Sequence, residues 1–223
     1  MSDLVTTVLF DLDGTLSDSA PGILSALREA FAVVGADPMT PEQERHILGP
    51  PFYSSLPEIV APELVADIIA AYRGFYSDGA MFDVVPYDGI DELLAWLSDS
   101  GVTMAVATSK PEHYAGPILA HLGLHDRFVT ICGDTLDGAR DSKALVVGEA
   151  LSRLGHPDPS TVVMVGDRRH DVHGAAEHGL RSYGAGWGYG APGELAGAGA
   201  VAVYDNAGEL RRGLAEVVGR VSG

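Results

Sequence analysis

Two aspartates, Asp11 and Asp13, stand two residues apart in the stretch LFDLDGT, and two more, Asp167 and Asp171, stand four apart in MVGDRRHD. Carboxylates at i and i+2 of an extended segment point to the same face, and Gly14 directly after the first pair permits a sharp turn. Neighbouring carboxylates can divide the work of a group transfer. One stays ionised as a nucleophile, while the other, its pKa raised by its surroundings, carries a proton. Four carboxylates gathered on one edge would repel one another unless a cation lay among them. An all-oxygen donor set with few protein ligands suits Mg2+, which keeps several waters and completes its shell with a substrate phosphate. Such an ion would offset the repulsion between a carboxylate and an incoming phosphate and draw charge from the transferring group. Phosphoryl transfer asks little more of a protein than positioning and neutralisation. Thr108 offers a hydroxyl and backbone N–H groups to a phosphate oxygen, and Lys143 offers a fixed positive charge. Each has a plainer reading as well: Thr108 and Ser109 can cap the helix after Pro111, and Lys143 can be an ordinary first-turn lysine.

These residues need elements to bring them together. Apolar runs rich in Val, Ile and Thr occur at Thr6–Phe10, Val102–Ala107, Phe128–Ile131, Thr161–Val165 and Ala200–Tyr204. Most are continuous rather than alternating, which suits strands covered on both faces. Helical patterns separate the later runs, at residues 112–122 and 141–154. The second of these places Leu145, Val146, Ala150, Leu151 and Leu154 on one face. Strand–helix alternation predicts an α/β fold, a Rossmann-like doubly wound parallel sheet with helices on both sides. Ligands in such sheets bind beyond the carboxyl ends of the strands. The first run ends in Asp11–Thr15, the second in Thr108–Lys110 and the fourth in Gly166–Asp171, and Lys143 opens the helix between the third and fourth. All of them therefore converge on one rim.

About 90 residues between the first two runs break the rhythm, far too many for a βα loop. Helical patterns fill them. Residues 22–34 align Ile23, Leu24, Leu27, Phe31 and Val34 after Pro21, and residues 62–77 align Leu64, Val65, Ile68, Ile69, Tyr72, Phe75 and Tyr76. This predicts a helical insert, residues 17–86, carried on a core of residues 1–16 and 87–223, with linkers near Ser17–Ala20 and Val85–Asp88. Gly186–Ala191 matches G-x-G-x-x-A, but a dinucleotide site needs that pattern after the first strand, so it is set aside. The Gly/Ala-rich segment 184–200 reads as loop plus a brief helix.

Taken together, DLDGT, TSK, Lys143 and GDRRHD resemble, in order and in placement at strand ends, the signatures of the haloacid dehalogenase superfamily of phosphotransferases. The insert resembles that family's helical cap. LFDLDGTLSDSAPGI, HILGPPF, MVGDRRHDVHGAAEHGL and the late WGYG look closest to its phosphoglycolate-phosphatase-like branch. The resemblance implies Asp11 as nucleophile, Asp13 as general acid and base, and Thr108 and Lys143 as phosphoryl-binding groups. It also implies a Mg2+ ion held by Asp167 and Asp171 with the Asp11 carboxylate and the Asp13 backbone carbonyl. The expected function is hydrolysis of a small, phosphoglycolate-like phosphomonoester through a phospho-aspartyl intermediate. A 5'-nucleotidase, a sugar-phosphate phosphatase or a phosphomutase is the alternative within the family, and a phospho-receiver signalling domain the alternative outside it. Receivers are about half this length and lack a long insert. Asp13 argues against a dehalogenase, and the absence of lysine from residues 17–88 argues against a phosphonate-cleaving member.

Substrate choice rests on the insert. Residues 17–88 hold 11 acidic residues and three basic ones, Arg28, Arg45 and Arg73. Arg45, before the LGPP turn, is expected to meet a distal anionic group of the substrate, or else to be a solvated surface arginine. Ser109 joins Thr108 as a substrate-binding candidate. Asp18 reads as a residue capping or flanking the helix near Pro21, Arg168 and Arg169 either offset charge near Asp167 or are simply exposed, and His170 is given no role.

Bulk properties agree with a small-molecule enzyme. The 223 residues carry 14 Lys+Arg against 31 Asp+Glu, a formal charge of -17, with 46% hydrophobic and 20% charged residues. That field repels nucleic acid and anionic membranes, so neither is expected as a partner. Cys132 is the one cysteine, which rules out an internal disulfide and fits a reducing compartment as a buried thiol. The N-terminus has no basic segment or cleavage-like site, and no apolar stretch reaches the ~18 residues of a membrane span. A cytoplasmic protein, a monomer or small homo-oligomer, is expected.

Overall fold

The computed structural model describes residues 4–219. The chain runs β1 (Thr7–Phe10), β2 (Ser17–Asp18), α1 (Ala20–Val34), α2 (Pro41–Ile47), α3 (Phe52–Ser55), α4 (Val65–Ser77), β3 (Val85–Pro86), α5 (Ile90–Asp99) and β4 (Thr103–Pro111). It continues with α6 (Glu112–His121), β5 (Thr130–Asp134), α7 (Lys143–Arg153), β6 (Val162–Gly166), α8 (Arg169–Ala176), β7 (Arg181–Ala185), α9 (Glu194–Ala198), β8 (Ala202–Tyr204) and α10 (Ala207–Leu214). Six strands form one parallel sheet in the order β5-β4-β1-β6-β7-β8.

The apolar runs are continuous because both faces of the sheet are covered. Val8, Phe10, Met104, Val106, Val163 and Val165 point into a core shared with α5, α6 and α10. Their neighbours Leu9, Ala105, Ala107, Val162 and Met164 point the other way, onto Val146, Val147 and Ala150 of α7 and Ala175 of α8, with Cys132 buried among them. This is the doubly wound α/β arrangement expected, and the period-2 alternation of Cβ directions along each strand produces it.

Three expectations are corrected. Leu145 is not on the buried face of α7: it is 51% exposed, and Val147 takes its place, because the helical period carries the stripe through Val146, Val147, Ala150 and Leu151. A strand absent from the sequence reading, β7, lies between β6 and β8. Its sequence RSYGA is too small and polar to show as an apolar run, although Ser182–Ala185 are buried. It includes Gly184 and Ala185, the first residues of the segment read as loop, and the brief helix expected there is α9. The third concerns the linkers, which are not plain loops. β2 pairs antiparallel with β3, Ser17 opposite Pro86 and Asp18 opposite Val85, so the chain leaves and re-enters the sheet domain through a two-stranded ribbon.

Between β2 and β3 the described structure is helical. α1 has Pro21 in its first turn and ends at Gly35 in the left-handed conformation (φ 73°). It packs along α4 through Ile23, Leu27 and Phe31 against Ile68, Ile69 and Tyr72. α2 carries a complete capping box, in which the Thr40 side chain accepts from Gln43 N–H and the Gln43 side chain accepts from Thr40 N–H. The outermost residues of the expected core, 1–3 and 220–223, lie outside the described residues.

Candidate active site

Asp11 is the first residue past β1, and its N–H donates to Val165 O at 2.9 Å, which locks it between the ends of β1 and β6. Its carboxylate is buried and accepts from Leu12 N–H at 2.7 Å. Asp167 follows β6 and is fully buried. Asp171 sits in the first turn of α8, where its carboxylate accepts from Arg168 N–H at 3.0 Å, a favourable place for a negative charge. One carboxylate oxygen from each of Asp11, Asp167 and Asp171 lies within 4.8 Å of the others.

Lys143, in the first turn of α7, answers part of this charge. Ser142 caps that helix by accepting from Leu145 N–H at 3.3 Å. The lysine ammonium reaches Asp11 Oδ1 at 3.0 Å, Asp171 Oδ1 at 2.7 Å and Ala107 O at 3.0 Å. Ala107 O accepts a hydrogen bond from it, and the two carboxylate oxygens lie at ion-pair distance. Burial works to lower the Lys143 pKa, but Asp11 and Asp171 outweigh it and hold the group above its ordinary value. Burial raises the Asp11 pKa, which Lys143 partly counters and Asp171 reinforces.

Asp167 is pushed furthest. Burial, then the charges of Asp171 and Asp11, hold its carboxyl well above the usual range. Its partners are neutral: Tyr189 N–H donates to Oδ2 at 2.8 Å and Thr15 Oγ1 to Oδ1 at 3.3 Å. Three buried carboxylates thus share one buried ammonium. Burying unbalanced charge costs several kcal/mol per ion, so this donor set fits a hard divalent cation of the Mg2+ type. Gly14 keeps the approach open. It has φ +80° and lies so close that a Cβ there would overlap Asp167 Oδ2.

Asp13 turns the other way. Ser19 Oγ donates to its Oδ1 at 2.6 Å, and Lys110 Nζ lies 2.9 Å from its Oδ2. Its side chain stands outside the acidic trio, so any metal contact from this residue falls to its backbone carbonyl. Lys110 went unassigned in the sequence reading. It is buried, donates to Tyr76 Oη at 2.8 Å and lies 4.8 Å from the centre of that ring. Burial lowers its pKa, but Asp13 more than compensates and the group stays above its ordinary value. Thr108 is buried beside Asp11 and accepts from Lys110 N–H at 3.2 Å. The register of β4 against β5 shifts between Ala107 and Pro111, in the stretch that carries Thr108 beside Asp11 and Lys110 beside Asp13.

A cavity of about 100 Å3 opens beyond Asp13, between the sheet rim and helices α1, α3 and α4. Ser109 lines it, and so does Arg73. Arg45 is exposed on α2 and is not among its lining residues. Arg28 is paired with Glu44 at 2.7 Å on the surface. Arg73, which the sequence reading passed over, donates to Leu136 O at 2.8 Å across the cavity mouth.

The residues flanking the site act as ties. Asp18 accepts from Ala20 N–H at 3.2 Å, so it does help start α1, and it also accepts from Tyr189 Oη at 2.8 Å. That hydroxyl in turn accepts from Ser19 and Ala20 N–H. No spacing in the sequence signalled Tyr189. Arg168 is buried, pairs with Glu194 at 3.0 Å and donates to Leu48 O, whereas Arg169 is exposed. His170 Nε2 is buried with no hydrogen-bond partner.

The chain is similar in sequence and fold to several known proteins. The chain is 46% identical over 183 residues to the tyrosine-protein kinase PtkA of Mycobacterium tuberculosis, a match covering 82% of this chain and 62% of that protein. The chain therefore spans less than two thirds of that relative's length. It is 35% identical over 191 residues to a phosphoglycolate phosphatase of Agrobacterium fabrum, covering 81% of this chain and 80% of that one. The crystal structure of a "predicted phosphatase" from Clostridium acetobutylicum superposes with a TM-score of 0.90 at 35% identity, covering 96% of this chain and 100% of that chain. Residues 8–185, which include Asp11, Asp13, Thr108, Lys110, Lys143, Asp167 and Asp171, match the model of one family, and the chain belongs to the haloacid dehalogenase-like hydrolases.

Proposed function

We propose that this protein is a phosphoric monoester hydrolase that uses Asp11 as its nucleophile. The observation that carries the reading is Lys143, whose buried ammonium joins Asp11 to Asp171 within a trio of buried carboxylates, beside a cavity that Asp13 lines. A Mg2+ ion held by Asp11, Asp167 and Asp171, with the Asp13 carbonyl, would supply the positive charge that lets a phosphate enter this acidic site.

The residues then divide the reaction between them. Asp11 attacks phosphorus and forms the phospho-aspartyl acyl phosphate as the P–O bond to the leaving group breaks, while Lys143 and the Thr108 hydroxyl hold the phosphoryl oxygens. Asp13, oriented by Ser19 and Lys110 on the cavity side, gives its proton to the leaving oxygen and later takes one from the water that cleaves the acyl phosphate. Ser109 lines the path of the leaving group. Residues 17–86 act as a cap that shields this exchange from bulk water. The substrate is a compact phosphomonoester of the phosphoglycolate type, with a nucleoside monophosphate as the alternative. Among the described residues, no helix is long and apolar enough to cross a membrane.

The 46% identity to PtkA favours a second reading, in which the phosphoryl group on Asp11 passes to a protein hydroxyl instead of water. The test is phosphate release from a metabolite panel with Mg2+, run beside transfer from ATP to tyrosine-containing peptide. Asp11→Asn is expected to fold normally and lose nearly all phosphate release. Wild-type turnover by that variant would end the Asp11 mechanism, and transfer to peptide without phosphate release would favour the kinase reading.

A further inference from the structure

The cavity past Asp13 has a wall of rings. Phe52 meets Tyr72 edge to face with centroids 4.7 Å apart, Tyr72 stacks on Tyr76 at 5.0 Å, and Tyr76 meets Tyr114 edge to face at 5.4 Å. All four line the cavity. The row begins next to the chemistry, since Tyr76 Oη is 2.8 Å from Lys110 Nζ, which lies 2.9 Å from Asp13 Oδ2. A leaving group protonated by Asp13 has to extend along these rings.

The charges lining the cavity point the same way. The charged residues of the lining are Asp13, Asp134, Lys110 and Arg73, two of each sign, so the lining is balanced. Lys110 is already held by Asp13, and Arg73 gives a donor to Leu136 O. Balanced charge offers no surplus to a second anionic group, whereas a chain of aromatic faces and edges accepts a flat π-system in stacked or edge-to-face contact. Pockets of this composition are apolar with a few orienting polar groups.

We propose that the leaving group this site selects carries a neutral aromatic ring, rather than being a short carboxylic acid. The proposal rests on the phosphatase reading above and narrows it to one substrate class. Two sources share this chemistry. In an aryl phosphate the ring is bonded to the ester oxygen and would meet Tyr76. In a nucleoside 5'-monophosphate the sugar intervenes and the base would reach Tyr72 and Phe52.

The test compares kcat/KM for phenyl phosphate, a nucleoside 5'-monophosphate and phosphoglycolate with Mg2+ at fixed ionic strength. At least one ring ester is expected to exceed phosphoglycolate tenfold or more, and which one leads identifies the source. Tyr72→Leu and Phe52→Leu, each checked for a native melting curve, are expected to shrink that ratio at least fivefold. Phosphoglycolate turned over as well as both ring esters, or a ratio unmoved in both variants, overturns the proposal. If none of the three esters releases phosphate, the phosphatase reading fails on its own. The ring preference is then read by calorimetric titration with benzylphosphonate and phosphonoacetate. Tenfold tighter binding of benzylphosphonate supports the proposal, and equal or weaker binding overturns it.

Discussion

Asp167 has no cation as a hydrogen-bond partner, yet it is fully buried beside two other carboxylates. Without a metal, its ionised form is destabilised by burial and by its neighbours. Asp167→Asn removes that charge at the expense of one accepted hydrogen bond, worth about 1 kcal/mol. The variant is therefore expected to melt a few degrees above wild type in chelator, since about 1 kcal/mol moves a domain of this size by ~2–4 °C. It is also expected to lose the upward shift that Mg2+ gives wild type. A melting temperature that falls in chelator and still rises with Mg2+ would remove Asp167 from the metal set. At this scale the sequence was legible wherever a side chain acts at a strand end: Asp11, Thr108 and Asp167 were found because apolar runs stop at them. Lys110 stood in plain view within TSK, but its partner Asp13 is 97 positions away, and only the pairing of β1 with β4 brings the two together. Tyr189 and Arg73 act through loop and helix placement that no local pattern encodes.

Elements of the rim are held to one another by exposed ion pairs. Glu112, opening α6, takes both terminal nitrogens of Arg153 at the end of α7, each at 3.0 Å, and Arg140 at 3.3 Å. Burial would raise the Glu112 pKa, but the hydrogen bond and charge of Arg153, with Arg140, outweigh it and hold the carboxyl below its ordinary value. A depressed native pKa contributes stability above the ordinary carboxylate range and loses it as pH falls through the depressed value. The side chain is 36% exposed, so water screens the pair and its worth is no more than about 1 kcal/mol. Glu112→Gln is expected to lower the melting temperature at pH 7 by up to ~4 °C, with the gap to wild type closing as pH drops below about 4. A gap that stays constant across that range would assign the loss to packing instead. Element by element, continuous apolar runs announced β1, β4, β5 and β6, which lie within or against the covered part of the sheet, and also β8 at its more exposed edge. β7 escaped because an interior strand built from Ser, Tyr, Gly and Ala fills its space with backbone and small side chains, and the β2–β3 ribbon escaped because two-residue strands have no periodicity to detect.

Over the whole molecule, the formal charge of -17 acts on any anionic substrate before it reaches Lys143. Screening shortens the reach of that field from about 30 Å at 0.01 M salt to about 8 Å at 0.15 M. Raising salt across this range, with Mg2+ fixed, is expected to increase kcat/KM for a dianionic phosphate ester by twofold or more. A decrease would mean that local attraction at the site already dominates the approach. The doubly wound architecture was legible at this scale, since alternation of strand and helix leaves few alternatives. The orientation of α1–α4 over the rim was not, because it is fixed by long-range ties such as Arg168 to Leu48 O and Lys110 to Tyr76.

The antiparallel β2–β3 ribbon has a further consequence. Because the outgoing and returning strands lie side by side, everything from Ser19 to Val84 is topologically the loop of one long hairpin. The entropy of closing a loop grows only slowly with its length, and the register of β1 against β4 and β6 is fixed on the far side of the ribbon. Residues can thus be gained, lost or exchanged wholesale within that hairpin while the nucleophile stays where it is, which makes the ribbon a natural splice point for giving one catalytic floor a different roof.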